Sequence, residues 1–169
     1  MKKTVAVIGS RGAIGNAVVD SLLADESVEA VFKFSRAENT EHEDKVKHIF
    51  IDIEDEESIK QATESLPEDT KFDLIFVATG ILHDEKNVFP EKSIKDISFD
   101  KLIKVLTINT IGPTLVGKYF IPYLRKDSKS TFAFLSARVG SISDNKLGCL
   151  LYTSPSPRDV EESRMQSSA

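Results

Sequence analysis

One cysteine, Cys149, occurs in 169 residues, which excludes a disulfide framework and a cysteine-rich metal site. Histidine is almost as scarce. His42, His48 and His83 show no metal-ligand spacing and read as surface or loop residues, so no metal is expected. No run of about 18 apolar residues exists, so no segment is expected to span a membrane. The opening Met1-Lys2-Lys3-Thr4-Val5-Ala6-Val7-Ile8-Gly9 is too short in apolar residues for a secretory leader and reads as a buried strand. Positive charge is in deficit, with 22 Lys and Arg against 27 Asp and Glu for a net charge of −5. That balance argues against sequence-independent binding of nucleic acid, which needs clustered Lys and Arg. A hydrophobic content of 40% suffices for a core, and the length suits one ordinary domain. These features describe a soluble protein of a reducing compartment, expected in the cytoplasm.

Short β-branched apolar runs alternate with longer helical patterns. Strands are predicted at 5–8, 30–34, 48–51, 74–78 and 132–135, and helices at 14–25, 55–65, 86–94 and 98–124. The runs are near-continuously apolar rather than alternating, which indicates strands covered on both faces, as in a parallel sheet. In the first helix Ile14, Val18, Val19, Leu22 and Leu23 form one apolar stripe. The charged stretches 38–47 and 54–57 read as solvated loops and helix starts, with Asp55, Glu56 and Glu57 where a helix dipole favours negative charge. The order of elements implies right-handed crossovers and an open, doubly wound α/β sheet of about five strands.

Composition changes near Gly148. Residues 149–169 are rich in Ser and Pro with no helical or strand period, a poor folding segment. Cys149 to Asp159 also match an in-frame translation of a transposase-type sequencing adapter, and Ser163 to Ala169 nearly match its continuation. The expected organisation is therefore a domain over 1–148 followed by an adapter-derived or disordered tail over 149–169.

Between the first strand and the first helix lies Gly9-Ser10-Arg11-Gly12-Ala13-Ile14-Gly15. Glycine permits a tight turn and a close approach of backbone to a pyrophosphate, and the helix N-terminus offers unpaired N–H groups. Glycine spacing alone is weak evidence; placed between a terminal strand and an amphipathic helix it is strong. Sites for NAD place a carboxylate after the second strand to hold the ribose 2′-hydroxyl. Here Ser35-Arg36 stand there instead, and Arg11 approaches the same corner. Two guanidinium groups suit a 2′-phosphate, so NADP is expected over NAD.

The loop resembles the Gly-x-x-x-Gly-x-Gly fingerprint of the short-chain dehydrogenases/reductases, particularly their C-factor-like and carbonyl-reductase-like members. Gly9 and Gly15 match the outer glycines. Ala13 stands at the middle one, with Gly12 one place early. The resemblance implies a Rossmann-type fold. Within it, Asp52-Ile53 look like the family's pair beside the adenine, although Asp52 also reads as a cap before the acidic helix start. Ala78-Thr79-Gly80 resemble the tail of the Asn-Asn-Ala-Gly motif, with Val77 and Ala78 in the places of the asparagines. Asn109 resembles the asparagine that holds a water in the family's proton relay, and Gly112-Pro113 are expected to bend its helix. In Leu135-Ser136-Ala137-Arg138-Val139-Gly140-Ser141, which looks like the catalytic-serine turn, Ser136 and Ser141 are both candidates; either also reads as a plain turn residue.

The family's Tyr followed four residues later by Lys has no counterpart. Tyr152 is the only tyrosine after the serine turn, with Ser156 four places on. The resemblance thus covers 1–148 and implies a parent that is an NADP-dependent oxidoreductase of small carbonyl or alcohol substrates, a homo-oligomer. The chain as given is expected to bind the adenosine half of the cofactor without turnover. A non-catalytic, C-factor-like signalling protein that binds the dinucleotide is the alternative. Another Rossmann enzyme, such as a methyltransferase, is disfavoured by Ser35-Arg36 where a carboxylate is wanted.

Overall fold

The computed structural model describes residues 2–37, 45–83 and 94–136. Its elements are β1 (Lys3–Ile8), α1 (Ala13–Ala24), β2 (Val28–Ser35), β3 (Val46–Phe50), α2 (Glu56–Glu64), β4 (Leu74–Val77), α3 (Phe99–Leu106), α4 (Gly112–Phe120) and β5 (Thr131–Phe134). All strands pair in parallel, in the order β3-β2-β1-β4-β5. Strand order reverses direction at β1, and in such sheets the crevice beyond the carboxyl ends at that reversal is where ligands bind.

Of the described residues, 2–37, 45–79 and 111–135 belong to one compact unit, and 80–83, 94–110 and 136 to a second. In the first, the two faces of the sheet are both covered, as continuous apolarity requires. Val5, Val7 and Val31 face α1, where Val19 is buried and Val18, Leu22 and Leu23 pack against them. On the opposite face Phe34 meets Phe120 of α4 edge-on, with ring centroids 5.1 Å apart, and Phe32 meets Phe72 in the same way at 5.2 Å. Each fully buried side chain of this kind contributes about 1.5–3 kcal/mol over its exposed state.

Three local readings are corrected. Ile14 does not join the buried stripe of α1. It is 56% exposed; in the first turn of α1 it is Gly15 that is buried, packed on the Gly9 carbonyl at the end of β1. Val46 and Lys47, taken with the charged stretch as loop, open β3 opposite Val31 and Phe32. Val46 is buried there, and the Lys47 ammonium lies 5.0 Å over the Phe32 ring. The helix expected over 98–124 is four pieces: α3, a π-turn at Thr107–Ile111, α4, and a 3₁₀ turn at Ile121–Tyr123. Pro113 has no N–H for the Asn109 carbonyl, its partner in a regular α-helix, and the π-turn falls immediately before it.

The expected tail over 149–169, its boundary at Gly148, Ser141, and residues 86–93 of an expected helix lie outside the described residues. Among the described residues no helix is long and apolar enough to cross a membrane.

Candidate functional site

The carboxyl ends of β1, β2 and β4 converge on the turn that enters α1. Gly9 leaves β1 with φ +81°, a left-handed backbone that glycine adopts without strain. An added Cβ there would press on the Thr79 methyl at 2.8 Å and on the Ala78 carbonyl carbon at 3.1 Å, so Gly9 is wedged against the end of β4. A Cβ on Gly15 would overlap the Gly9 carbonyl oxygen. Gly12 differs: its added Cβ would meet only the Gly9 carbonyl at 3.5 Å, an ordinary contact. Gly9 and Gly15 are thus the glycines that sterics demands, and Gly12 is the N-cap of α1.

Backbone bonds divide the turn into donors that are engaged and donors that are not. The Gly9 and Ser10 N–H groups both donate to the Phe34 carbonyl, at 2.9 and 3.2 Å, and the Gly12 N–H donates to Gly9 at 3.1 Å. The Ser10 hydroxyl also turns inward to Phe34, at 3.3 Å, and Ser10 is fully buried. Among the described residues the N–H groups of Arg11, Ala13, Ile14 and Gly15 meet no acceptor, and no side chain caps the helix. Four such donors around a helix N-terminus favour an anion. This donor set, held in place by the close packing of Gly15 on the Gly9 carbonyl, fits a diphosphate.

At the end of β2 the Ser35 hydroxyl donates to the Ala37 carbonyl at 3.3 Å. Arg36 lies exposed beyond it, and its guanidinium pairs with Glu54 at 3.6 Å. Arg11 is exposed and forms no ion pair among the described residues. Asp52 is half-buried; its N–H donates to the Ser58 hydroxyl at 2.9 Å and its carboxylate accepts from the Glu54 N–H at 3.0 Å. The cap of α2 is Asp55, which accepts from the Glu57 N–H at 3.0 Å, so the capping reading of Asp52 is corrected by three residues. Ile53 is buried beside it. The Glu56 carboxyl is held below the usual carboxylate range by the Lys118 ammonium at 2.7 Å and the Tyr119 hydroxyl at 2.9 Å.

At the end of β4 the Ala78 N–H donates to the Ile8 carbonyl at 2.8 Å. The Thr79 hydroxyl is buried with no hydrogen-bond partner among the described residues. In the second unit Asn109 grips Ile81 from both ends of its amide: Oδ1 accepts from the Ile81 N–H and Nδ2 donates to the Ile81 carbonyl, each at 2.8 Å. Gly80 lies beside it, its added Cβ 3.6 Å from Asn109 Oδ1. Ser136 is exposed after β5. Sequence reading missed Glu54, taken as part of a solvated acidic run; Thr79 was named from its motif, but not the burial of its hydroxyl.

Residues 3–149 match the family model described as short chain dehydrogenase. No curated protein sequence matches the chain. Among solved structures it is similar to a Burkholderia multivorans protein assigned as a short-chain dehydrogenase/reductase and solved with NADP bound. The TM-score is 0.77 at 21% identity, over 99% of this chain and 72% of that one. It is also similar to a short chain dehydrogenase family protein from Francisella tularensis, with TM-score 0.72 at 22% identity, over 98% of this chain and 61% of that one. An NADPH-bound carbonyl reductase from chicken fatty liver gives TM-score 0.71 at 24% identity, over 86% of this chain and 61% of that one. The chain thus spans less than two thirds of the last two. At these identities the likeness establishes the fold alone.

Proposed function

Since the chain belongs to the short chain dehydrogenase family, we propose that its first unit binds the adenosine half and diphosphate of a nicotinamide dinucleotide, NADP in preference to NAD. The observation that carries this reading is the packing of Gly15 on Gly9 beside a turn whose Arg11, Ala13, Ile14 and Gly15 amides have no acceptor among the described residues and so can serve as anion donors. Arg11 and Arg36 supply the positive charge at the corner of the adenosine ribose, where the neighbouring Ser35 adds no negative charge. Asp52-Ile53 and Ala78-Thr79 supply the flanking turns of this unit.

When bound, the dinucleotide supplies hydride chemistry between its nicotinamide carbon and a carbonyl or alcohol carbon. The proposed class is accordingly an oxidoreductase of small carbonyl or alcohol compounds, with Asn109 and either Ser136 or Ser141 as its polar catalytic-type residues. Tyr119, Tyr123 and Tyr152 are the three tyrosines of the 169 residues, and none is followed four places later by lysine. Our reading is therefore that the 169-residue chain binds the cofactor without turnover.

Isothermal titration of the folded chain with NADPH and NADH tests the proposal. Saturable heat with both, tighter for NADPH, is expected. No heat with either would overturn it.

A further inference from the structure

We infer that Glu54 sets how far the site discriminates between dinucleotides with and without a 2′-phosphate, by holding Arg36 in an ion pair. The inference rests on the dinucleotide reading of the first unit.

Arg36 and Glu54 are 18 positions apart, and sheet pairing brings them together. Ser35 sits opposite Phe50 in the β2–β3 register, and the Ile51 N–H continues the ladder to the Ser35 carbonyl at 3.1 Å. The next residues on each strand end are therefore neighbours, and the Arg36 guanidinium reaches Glu54 Oε1 at 3.6 Å. Residues 52–57 hold five carboxylates, and four have other tasks. Asp52 turns back to the Glu54 N–H, Asp55 caps α2, Glu56 holds Lys118 and Tyr119, and Glu57 lies 3.6 Å from Lys60. Glu54 alone of the five is directed at Arg36.

A 2′-phosphate arriving at this corner must share Arg36 with Glu54 or displace it, and the carboxylate repels the incoming dianion in either case. A 2′-hydroxyl carries no charge for Glu54 to oppose. Arg11, which has no ion pair among the described residues, is left as the undivided attraction for the phosphate. The preference for NADP is thereby damped rather than abolished. The pair is exposed, with Arg36 at 70% and Glu54 at 34% of full side-chain accessibility. It contributes little to folding, and a neutral amide at 54 leaves the protein folded.

The test is calorimetric titration of the full chain with NADPH and NADH, using wild type, Glu54→Gln, Arg36→Gln and the double variant. Glu54→Gln is expected to tighten NADPH about fivefold at low salt while shifting NADH less than about twofold. The gain is expected to vanish in the Arg36→Gln background and to shrink in 0.5 M salt, about three times the physiological ionic strength. Equal changes for both dinucleotides, or a gain that survives loss of Arg36, would overturn the inference while leaving the dinucleotide site standing. No binding of either dinucleotide to wild type would remove the proposed function and this inference with it.

Discussion

The α-carbon of Gly15 rests on the carbonyl of Gly9, with no room for a methyl between them. This contact locks the first turn of α1 onto the end of β1, and it fixes where the unpaired amides of the turn point. Gly15→Ala is expected to cost about 1–3 kcal/mol, the range for overpacking a tight contact. Gly12→Ala is expected to stay within about 0.5 kcal/mol of wild type, since a Cβ there makes only an ordinary contact and φ is −66°. Urea denaturation of the two variants checks the contrast.

Thr79 carries a buried hydroxyl that nothing in the described residues satisfies. Valine has the same shape without the polar atom. Thr79→Val is therefore expected to stabilise the free protein by about 1 kcal/mol, the order of the desolvation penalty it removes. The urea midpoint measures this, and a loss of stability would show that the hydroxyl has a partner.

The central strands β1, β2 and β4 were legible because each is a largely apolar run packed on both faces, and burial dictates that pattern. The turn at Gly9 to Gly15 was legible because two of its glycines answer steric demands. What escaped depends on distant neighbours. Ile14 has the right helical phase for burial, yet in the first turn the buried position is Gly15, packed on Gly9. The inward turn of Ser10 follows from the position of Phe34 on another strand. Glu54 meets Arg36 only through the β2–β3 register, and in sequence it is one acid among several. Position 52 and position 55 both hold an aspartate before the same helix, so the cap was ambiguous until the backbone placed it.

Asp73 predicts a pH dependence. Burial raises its pKa, but the Thr4 N–H and the Arg125 guanidinium outweigh this and hold it below the ordinary carboxylate value. A carboxyl depressed in the folded state contributes stability above its unfolded pKa of about 4 and loses it as pH falls through the folded value. Asp73→Asn is therefore expected to lower the urea midpoint at pH 7, with the difference from wild type closing in strong acid. Parallel denaturation series from neutral to acid pH check the sign.

Asn109 closes both polar groups of Ile81 with one side chain. Asn109→Ala is expected to speed amide hydrogen exchange at Ile81 about tenfold or more, since the N–H loses its acceptor. An unchanged rate at Ile81 would show that another acceptor replaces the asparagine.

Amide-resolved NMR of the folded chain, titrated with ADP and then NADPH, tests the diphosphate cradle most directly. The expected result is saturable shifts centred on the amides of Arg11, Ala13, Ile14 and Gly15, with small changes at Gly9 and Ser10, whose N–H groups already serve Phe34. Saturable binding that leaves those four amides unmoved, or no binding at all, would contradict the account.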